Sequence, residues 1–191
     1  MDDMVNALQG AFRTQRLVIR AAESEEDEEF ISTNLACPVN RGLASGETLQ
    51  LHTKETMRAR VENQMQAHKA ILLCLPTAND HNGQPIGVMY LQREGHRLMT
   101  TSINITAEHQ DKGYGREALN WALEFAFRWA DQHRFEIAAM SYNERAVHLY
   151  RSLGFVEEGV SRKAVFMNGK WHDVLKFGML ASEWWGRQSA T

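Results

Sequence analysis

A β-prone run that ends in a two-glycine turn and continues as a long helix constrains this chain more than any other feature. The run covers residues 98–106, the turn is Gln110-Asp111-Lys112-Gly113-Tyr114-Gly115-Arg116, and the helix is expected over residues 114–132. Leu119, Ala122, Ala126 and Ala130 fall on one side of that helix with Trp121, Phe125 and Trp129 close by, so it should be well covered. A strand, a tight turn and a buried helix in succession point to an α/β protein. The same geometry makes an anion site. The first amides of a helix have no intrahelical acceptor, and glycines let a phosphate approach the main chain without a Cβ in the way. Lys112 and Arg116 add positive charge there.

Spacing narrows the kind of phosphate loop. A Walker loop ends in Gly-Lys-Ser/Thr, which is absent, and a Rossmann fingerprint needs a third glycine where this chain has Ala118. The Rossmann turn also follows the first strand of its unit, whereas this one follows at least three expected strands and two helices. A helix start whose glycines serve only for turning stays open on the loop alone, as does a nucleotide-binding α/β protein of another kind.

Around this segment the pattern gives a first strand over residues 16–22, an acidic helix over 25–34, and a loop over 37–46 punctuated by Pro38, Gly42 and Gly46. A helix over 52–69 carries Met57, Val61 and Met65 on one stripe. A buried strand follows over 71–75, then a polar hairpin over 77–83 and a strand over 86–91. Beyond the long helix come a strand over 135–140, a helix over 144–153 stopped by Gly154-Phe155, and two β-prone runs, 162–167 and 170–180. These two flank Asn168-Gly169, whose residues both tolerate the positive φ of a tight hairpin. The expected order is βααβββαβαββ in a single domain spanning residues 1–191. Trp184 and Trp185 read as a tail packed on the sheet, with a homodimer contact as the alternative.

Composition excludes several classes. A hydrophobic fraction of 43% with 24% charged residues suits a chain that packs a core. The longest apolar run, residues 70–75, is far too short to span a bilayer, and the acidic start Met1-Asp2-Asp3-Met4 lacks the features of a secretory signal. A soluble, cytoplasmic protein without a membrane partner is expected. The net charge of −3, with basic residues scattered, argues against nucleic acid. Cys37 and Cys74 stand apart and read as buried, reduced thiols, and the 8 histidines show no paired metal-ligand spacing. Residues 23–29 hold six carboxylates around Ser24; they read as an acidic helix start, or as a surface that attracts cations.

A second motif accompanies the first. Gln110-x-x-Gly113-x-Gly115 resembles the Gln/Arg-x-x-Gly-x-Gly/Ala pyrophosphate loop of the GNAT acyltransferases. Downstream, the segment from Asn143 through Ala146 and Tyr150 to Gly154-Phe155 resembles their Asn-x-x-Ala-x-x-x-Tyr-x-x-x-Gly-Phe run. The stretch over residues 101–179 is most similar to the RimJ/RimL and spermidine-acetyltransferase branches. The resemblance implies a GNAT acyltransferase fold, a central mixed sheet flanked by helices. It also implies transfer of an acetyl group from the co-substrate acetyl-CoA to a primary amine, by direct attack through a tetrahedral intermediate.

By the same resemblance, Gln110, Asp111, Lys112, Gly113, Tyr114, Gly115 and Arg116 would hold the pyrophosphate. Ile103, Asn104 and Ile105 would pair with the pantetheine arm as an added strand does, with a main-chain amide of that strand near the acetyl oxygen. Asn143 would bond the arm near the thioester, or cap the following helix, or both. Tyr150 would be the general acid that protonates the leaving thiolate; the alternative is a core tyrosine. The strand over 101–106 lacks a carboxylate, so no base is assigned; Glu108, His109 and His52 are weak candidates. The missing carboxylate keeps a non-catalytic acyl-CoA-binding module as the alternative. The acceptor would be a small-molecule or peptide amine: a protein N-terminus, a polyamine or a metabolite. The acidic run mildly favours a cationic one.

Overall fold

Short runs of aliphatic residues with opposite faces buried on alternate positions build one seven-stranded sheet in this computed structural model, which describes residues 2–47, 50–67, 70–78 and 80–189. Met1, Lys69, Asn79 and Thr191, each within a segment considered above, lie outside the described residues. The strands are β1 (Val18–Ala21), β2 (Ala70–Leu75), β3 (Gln84–Glu94), β4 (Leu98–Ile105), β5 (Arg134–Met140), β6 (Val156–Met167) and β7 (Lys170–Leu180). Their order across the sheet is β1-β2-β3-β4-β5-β7-β6, antiparallel throughout except for the parallel pair β4 and β5. The helices are α1 (Asp2–Gly10), α2 (Glu25–Ala36), α3 (Pro38–Ala44), α4 (Lys54–Ala67), α5 (Tyr114–Glu124), α6 (Glu144–Leu153) and α7 (Ala181–Gln188). None of the described helices is long and apolar enough to cross a membrane.

The two-residue period of β2 divides the core. Leu72 and Cys74 join Val18 and Val88 beneath Ile31 of α2 and Val61 of α4, while Leu73 faces the opposite way, into the larger cluster with Leu119 and Ala122 of α5. The stripe expected on α4 is present: Met57 and Val61 are buried and Met65 packs against the same cluster. Cys74 is fully buried and burial pushes its thiol up to about 11; Cys37 is half-buried, not fully buried as expected, and both are free thiols.

The strand sequence matches the expected one, and the mixed α/β class holds. Three short helices were not foreseen. Segment 37–46, expected to be a loop, instead folds as α3, with Pro38 at its first position, where a missing N–H costs nothing and φ is already set for a helix. The buried pair Asn40 Nδ2 to Asn34 Oδ1, 2.7 Å, ties α3 to α2. The helix expected to reach residue 132 is α-helical only to Glu124. It continues as one π turn, Phe125–Trp129, closed by Ala130 N–H on Phe125 O at 2.9 Å, and ends before Asp131 at φ 52°. α1 and α7 add caps at the two ends. Trp184 is buried against Phe127, ring centroids 5.8 Å apart, in keeping with a packed tail, while Trp185 is half-exposed beside Arg128. β6 begins at Val156 rather than near 162. Asn168 and Gly169 take φ of 48° and 74°, as a tight hairpin requires.

The acidic run is a helix start. Ser24 caps α2 through its bond from Asp27 N–H at 3.1 Å, and the Asp27 carboxylate accepts from the amides of Glu23 and Ser24. Arg20 grips Asp27 with two bonds of 2.7 Å, and Glu28 lies 3.5 Å from Arg58.

Candidate functional site

The site begins where two parallel strands part. β4 and β5 pair only at Leu98 with Arg134, Met99 with Phe135 and Thr100 with Glu136. Beyond these, each strand keeps its outer neighbour, β3 as far as Ile105 and β7 as far as Met140, while their inner edges diverge. The gap opens into a cleft of about 410 Å³ lined by residues 102–105 of β4, by Ala138 and Ala139 of β5, by the turn before α5, and by α3 and α6.

The register shows which main-chain groups face the gap. Thr106 N–H donates to Ile86 O at 2.9 Å, so by the alternation of an antiparallel ladder Asn104 and Ser102 also turn their main chain towards β3. Ile103 and Ile105, beyond the last β4–β5 pair, therefore present theirs to the gap. Ile105 O accepts from Gln110 Nε2 at 2.8 Å, which leaves Ile103 with both groups on an open edge. Asn104 contributes its side chain instead: Nδ2 donates to Asn40 O at 3.2 Å, while Oδ1 is buried with no partner among the described residues. An unpartnered buried acceptor in a cleft wall suits a ligand donor.

The turn closes one end of the cleft. Residues 107–109 make a 3-10 turn, Asp111 and Gly113 take φ of 59° and 84°, and α5 starts at Tyr114 without a side-chain cap. Glu117 N–H, on Gly113 O at 3.1 Å, is the first α5 amide with a helical acceptor, so those of Tyr114, Gly115 and Arg116 point out of the helix end with their dipole. Gln110, Asp111, Gly113, Tyr114, Gly115 and Arg116 all line the cleft. Lys112 does not: its carbonyl accepts from Arg16 Nη1 at 2.9 Å at the edge of the turn. Gln110 bridges three elements with its side chain, to Ile105 O, to Asn40 Oδ1 at 3.3 Å and to Arg145 Nη2 at 2.6 Å. Arg145 also holds Asp111 at 2.7 Å, and Arg116 donates to Ser152 Oγ at 2.6 Å.

The far wall is α6. Asn143 is its N-cap, Oδ1 accepting from Ala146 N–H at 3.2 Å, and Nδ2 donates to Leu43 O of α3 at 3.1 Å. The capping expected of this residue is thus present, and one Nδ2 hydrogen remains. Tyr150, two turns on, is packed edge-on against Phe177 at 5.6 Å and lines the cleft. Its hydroxyl has no hydrogen-bond partner among the described residues, and burial raises the phenol to about 12. A phenol so placed keeps its proton at neutral pH.

Of the three candidate bases, His109 alone reaches the cleft, with Nδ1 2.8 Å from Thr106 Oγ1. Glu108 is exposed and His52 lines neither this cleft nor its neighbour. Sequence reasoning missed Asn40, Leu43 and Ala44, because α3 was read as a loop, and Arg145, which the motif spacing leaves as an unspecified position. It also missed a second cavity of about 310 Å³ on the other side of β4, lined by Arg41, Arg60, Tyr90, Gln92 and residues 100–104. The two cavities share Ala44, Ser102, Ile103 and Asn104.

Comparison with known proteins agrees with this geometry. A spermidine N(1)-acetyltransferase of Vibrio cholerae serotype O1 is 38% identical over 92 residues, 48% of this chain and 53% of that protein. The Escherichia coli K12 spermidine N(1)-acetyltransferase is 31% identical over 81 residues, 42% of this chain and 44% of its own. The chain thus spans about half the length of the curated relatives it matches. Among solved structures, the Vibrio cholerae spermidine N-acetyltransferase in complex with CoA and spermine superposes with a TM-score of 0.76 at 26% identity, covering 90% of this chain and 99% of that one. Residues 42–155, from within α3 to the end of the second motif, match the model of the acetyltransferase (GNAT) family. With the family model covering more than half of its residues and the split sheet in place, the chain belongs to the GNAT acetyltransferase family.

Proposed function

We propose that this protein transfers the acetyl group of acetyl-CoA to a primary amine, and that the gap between β4 and β5 is where the thioester lies. The parting of these strands beyond Thr100 and Glu136, with uncapped helix amides at one end and Tyr150 in the wall, is the observation that carries the reading. Acetyl-CoA supplies the activated acetyl thioester, which the amine attacks directly.

The chain's own groups then take these roles. The amides of Tyr114, Gly115 and Arg116, with Gln110, Asp111 and Gly113 shaping the turn, receive the pyrophosphate, and the positive end of the α5 dipole favours its charge. Ile103, with an open edge, pairs with the pantetheine arm, and its N–H or that of Ile105 faces the developing oxyanion. Asn104 Oδ1 and the remaining Asn143 hydrogen are available to the arm's amides. Tyr150 donates to the departing thiolate. With the phenol near 12 and a thiol near 8.5, complete transfer is uphill, so the hydroxyl steadies the leaving sulfur as a hydrogen-bond donor, and the proton that the amine sheds replaces the one the thiolate takes. Lys112, outside the cleft, shapes the turn through its carbonyl.

The protein acts in the cytoplasm, a reducing compartment that suits the free thiols Cys37 and Cys74. It self-associates, as supported by the dodecameric Vibrio cholerae relative, TM-score 0.72 at 27% identity, and by Phe166 and Trp171 exposed on the β6–β7 hairpin. Incubation with acetyl-CoA and a panel of primary amines should release free thiol. Tight CoA binding without turnover of any amine would instead establish the non-catalytic binding module.

A further inference from the structure

The cavity on the acceptor side of β4 has an electrostatic character that the family membership does not supply. Its charged lining is cationic: Arg41 from α3 and Arg60 from α4 reach it, and among its described lining residues there is no Asp or Glu. Both guanidinium groups contact a single carboxylate, Glu47, which accepts from Arg60 at 2.5 and 2.8 Å and from Arg41 at 3.0 Å. The bonds from Arg60 hold the Glu47 carboxyl below its ordinary range, so it is ionised. Two cations against one anion leave one net positive charge beside the wall that the two cavities share.

Arg41 sharpens the point. Its side chain is 8% exposed, yet its one hydrogen bond among the described residues, Nη2 to Glu47, uses one of five N–H donors. A guanidinium that deep in the fold with donors left over is built to meet an oxyanion. The rest of the lining is uncharged: Gln64, paired with the Tyr90 hydroxyl at 3.3 Å, Gln92, Thr100, Thr101 and Ser102, beside the apolar Leu35, Ala44, Met57 and Ile103. The acidic run at residues 23–29, which alone in the sequence suggested a cationic acceptor, lines neither cavity, and Asp27 and Glu28 within it face Arg20 and Arg58. A polycation entering this cavity would meet two arginines and no free carboxylate.

We infer that the acceptor is a small primary amine that also carries a carboxylate, with the carboxylate held by Arg41 and Arg60 and the amine directed across Ser102–Asn104 towards the thioester. This rests on the acetyl-transfer reading and names its substrate class. The cavity holds about 310 Å³, roughly ten water volumes, which suits a molecule of amino-acid size. Neutralising the carboxylate at one end leaves the amine as the group that must shed a proton, and neighbouring positive charge lowers the cost of that loss. A site rich in arginine therefore also helps a reaction for which the chain offers no carboxylate base.

The test uses the full chain with acetyl-CoA and matched pairs of acceptors, ω-amino acids of three to six carbons against diamines of the same length, with spermidine alongside. The best amino acid should exceed its diamine in kcat/KM by roughly tenfold or more, and R60Q should collapse that ratio towards one while leaving the KM for acetyl-CoA in place. Arg60 is partly exposed, so R60Q is expected to fold even if a change at the buried Arg41 does not. Preference for spermidine or the diamines, or a ratio untouched by R60Q, overturns the inference while leaving acetyl transfer standing. If no amine is acetylated, acetyl transfer falls, and calorimetric titration of the same amino acids into the CoA complex decides the pocket. Binding that R60Q weakens about tenfold supports it, and no binding overturns it.

Discussion

Arg145 of α6 grips Asp111 across the mouth of the cleft, Nη1 to Oδ2 at 2.7 Å, while its other nitrogen takes the Gln110 side-chain oxygen at 2.6 Å. Asp111 sits at φ 59°, a conformation that a residue with a Cβ adopts at some cost. The turn's shape is therefore held partly from outside, by the helix that carries Tyr150. R145A should raise the KM for acetyl-CoA about fivefold, in line with partly exposed ion pairs, and change kcat less. Initial rates over a range of acetyl-CoA decide it; an unchanged KM means that the turn holds itself.

Tyr150→Phe removes one oxygen that has no partner among the described residues. Turnover should drop by about a hundredfold with CoA affinity intact, and the melting temperature should move by no more than about 2 °C. Because burial lifts the phenol to about 12, wild-type kcat should show no alkaline limb from this group below about pH 10. A full-speed Y150F enzyme would remove the residue from the chemistry.

Asp27 links pH to stability. Desolvation pushes its carboxyl up, but the Arg20 bonds and the amides of Glu23 and Ser24 outweigh this and hold it down at about 2 against an ordinary 3.8. A depressed folded-state value means stability that is present above about pH 4 and lost as pH falls through about 2. Asp27→Asn should destabilise the fold by about 2 kcal/mol at pH 7 and flatten the acid side of the stability curve. Urea titrations of both proteins at pH 7 and pH 3 measure it; parallel curves would show that the pair does not govern the acid response.

Gly113 caps α5 at φ 84°, and a Cβ there would stand 3.2 Å from the Arg16 side chain. Gly113→Ala should cost about 1 kcal/mol, a melting shift of roughly 2–4 °C, and weaken acetyl-CoA binding by tilting the helix amides. Thermal melts with and without CoA separate the two effects: the gap between the melts should narrow in the variant.

What was readable beforehand was what neighbours in sequence decide. Gln110 to Arg116 sets its own turn, Asn143 caps its own helix, and Asn168-Gly169 makes its own hairpin, each a short-range consequence of residue type. Hydrophobic period placed α4 and α5 well. Readability failed where distant segments meet. Pro38 and Gly42 look like loop punctuation until the Asn34–Asn40 bond and the packing of α3 on α2 override them. Arg41 and Arg60 are unremarkable charges on separate helices, and only the tertiary fold aims both into one cavity. The parting of β4 from β5 depends on register, which no stretch of sequence displays.

That parting has a mechanical meaning for the whole molecule. The sheet consists of a four-strand plate, β1 to β4, and a three-strand plate, β5, β7 and β6, welded along just three residue pairs. Rotation about such a short weld would alter the width of the slot without breaking either plate, so α5 and α6, which touch each other over the slot, act as the brace that sets its aperture. A molecule wedged between the plates would stiffen both at once, and amide exchange on β5 should then slow together with that on β4 although no main-chain pair joins them beyond Thr100 and Glu136.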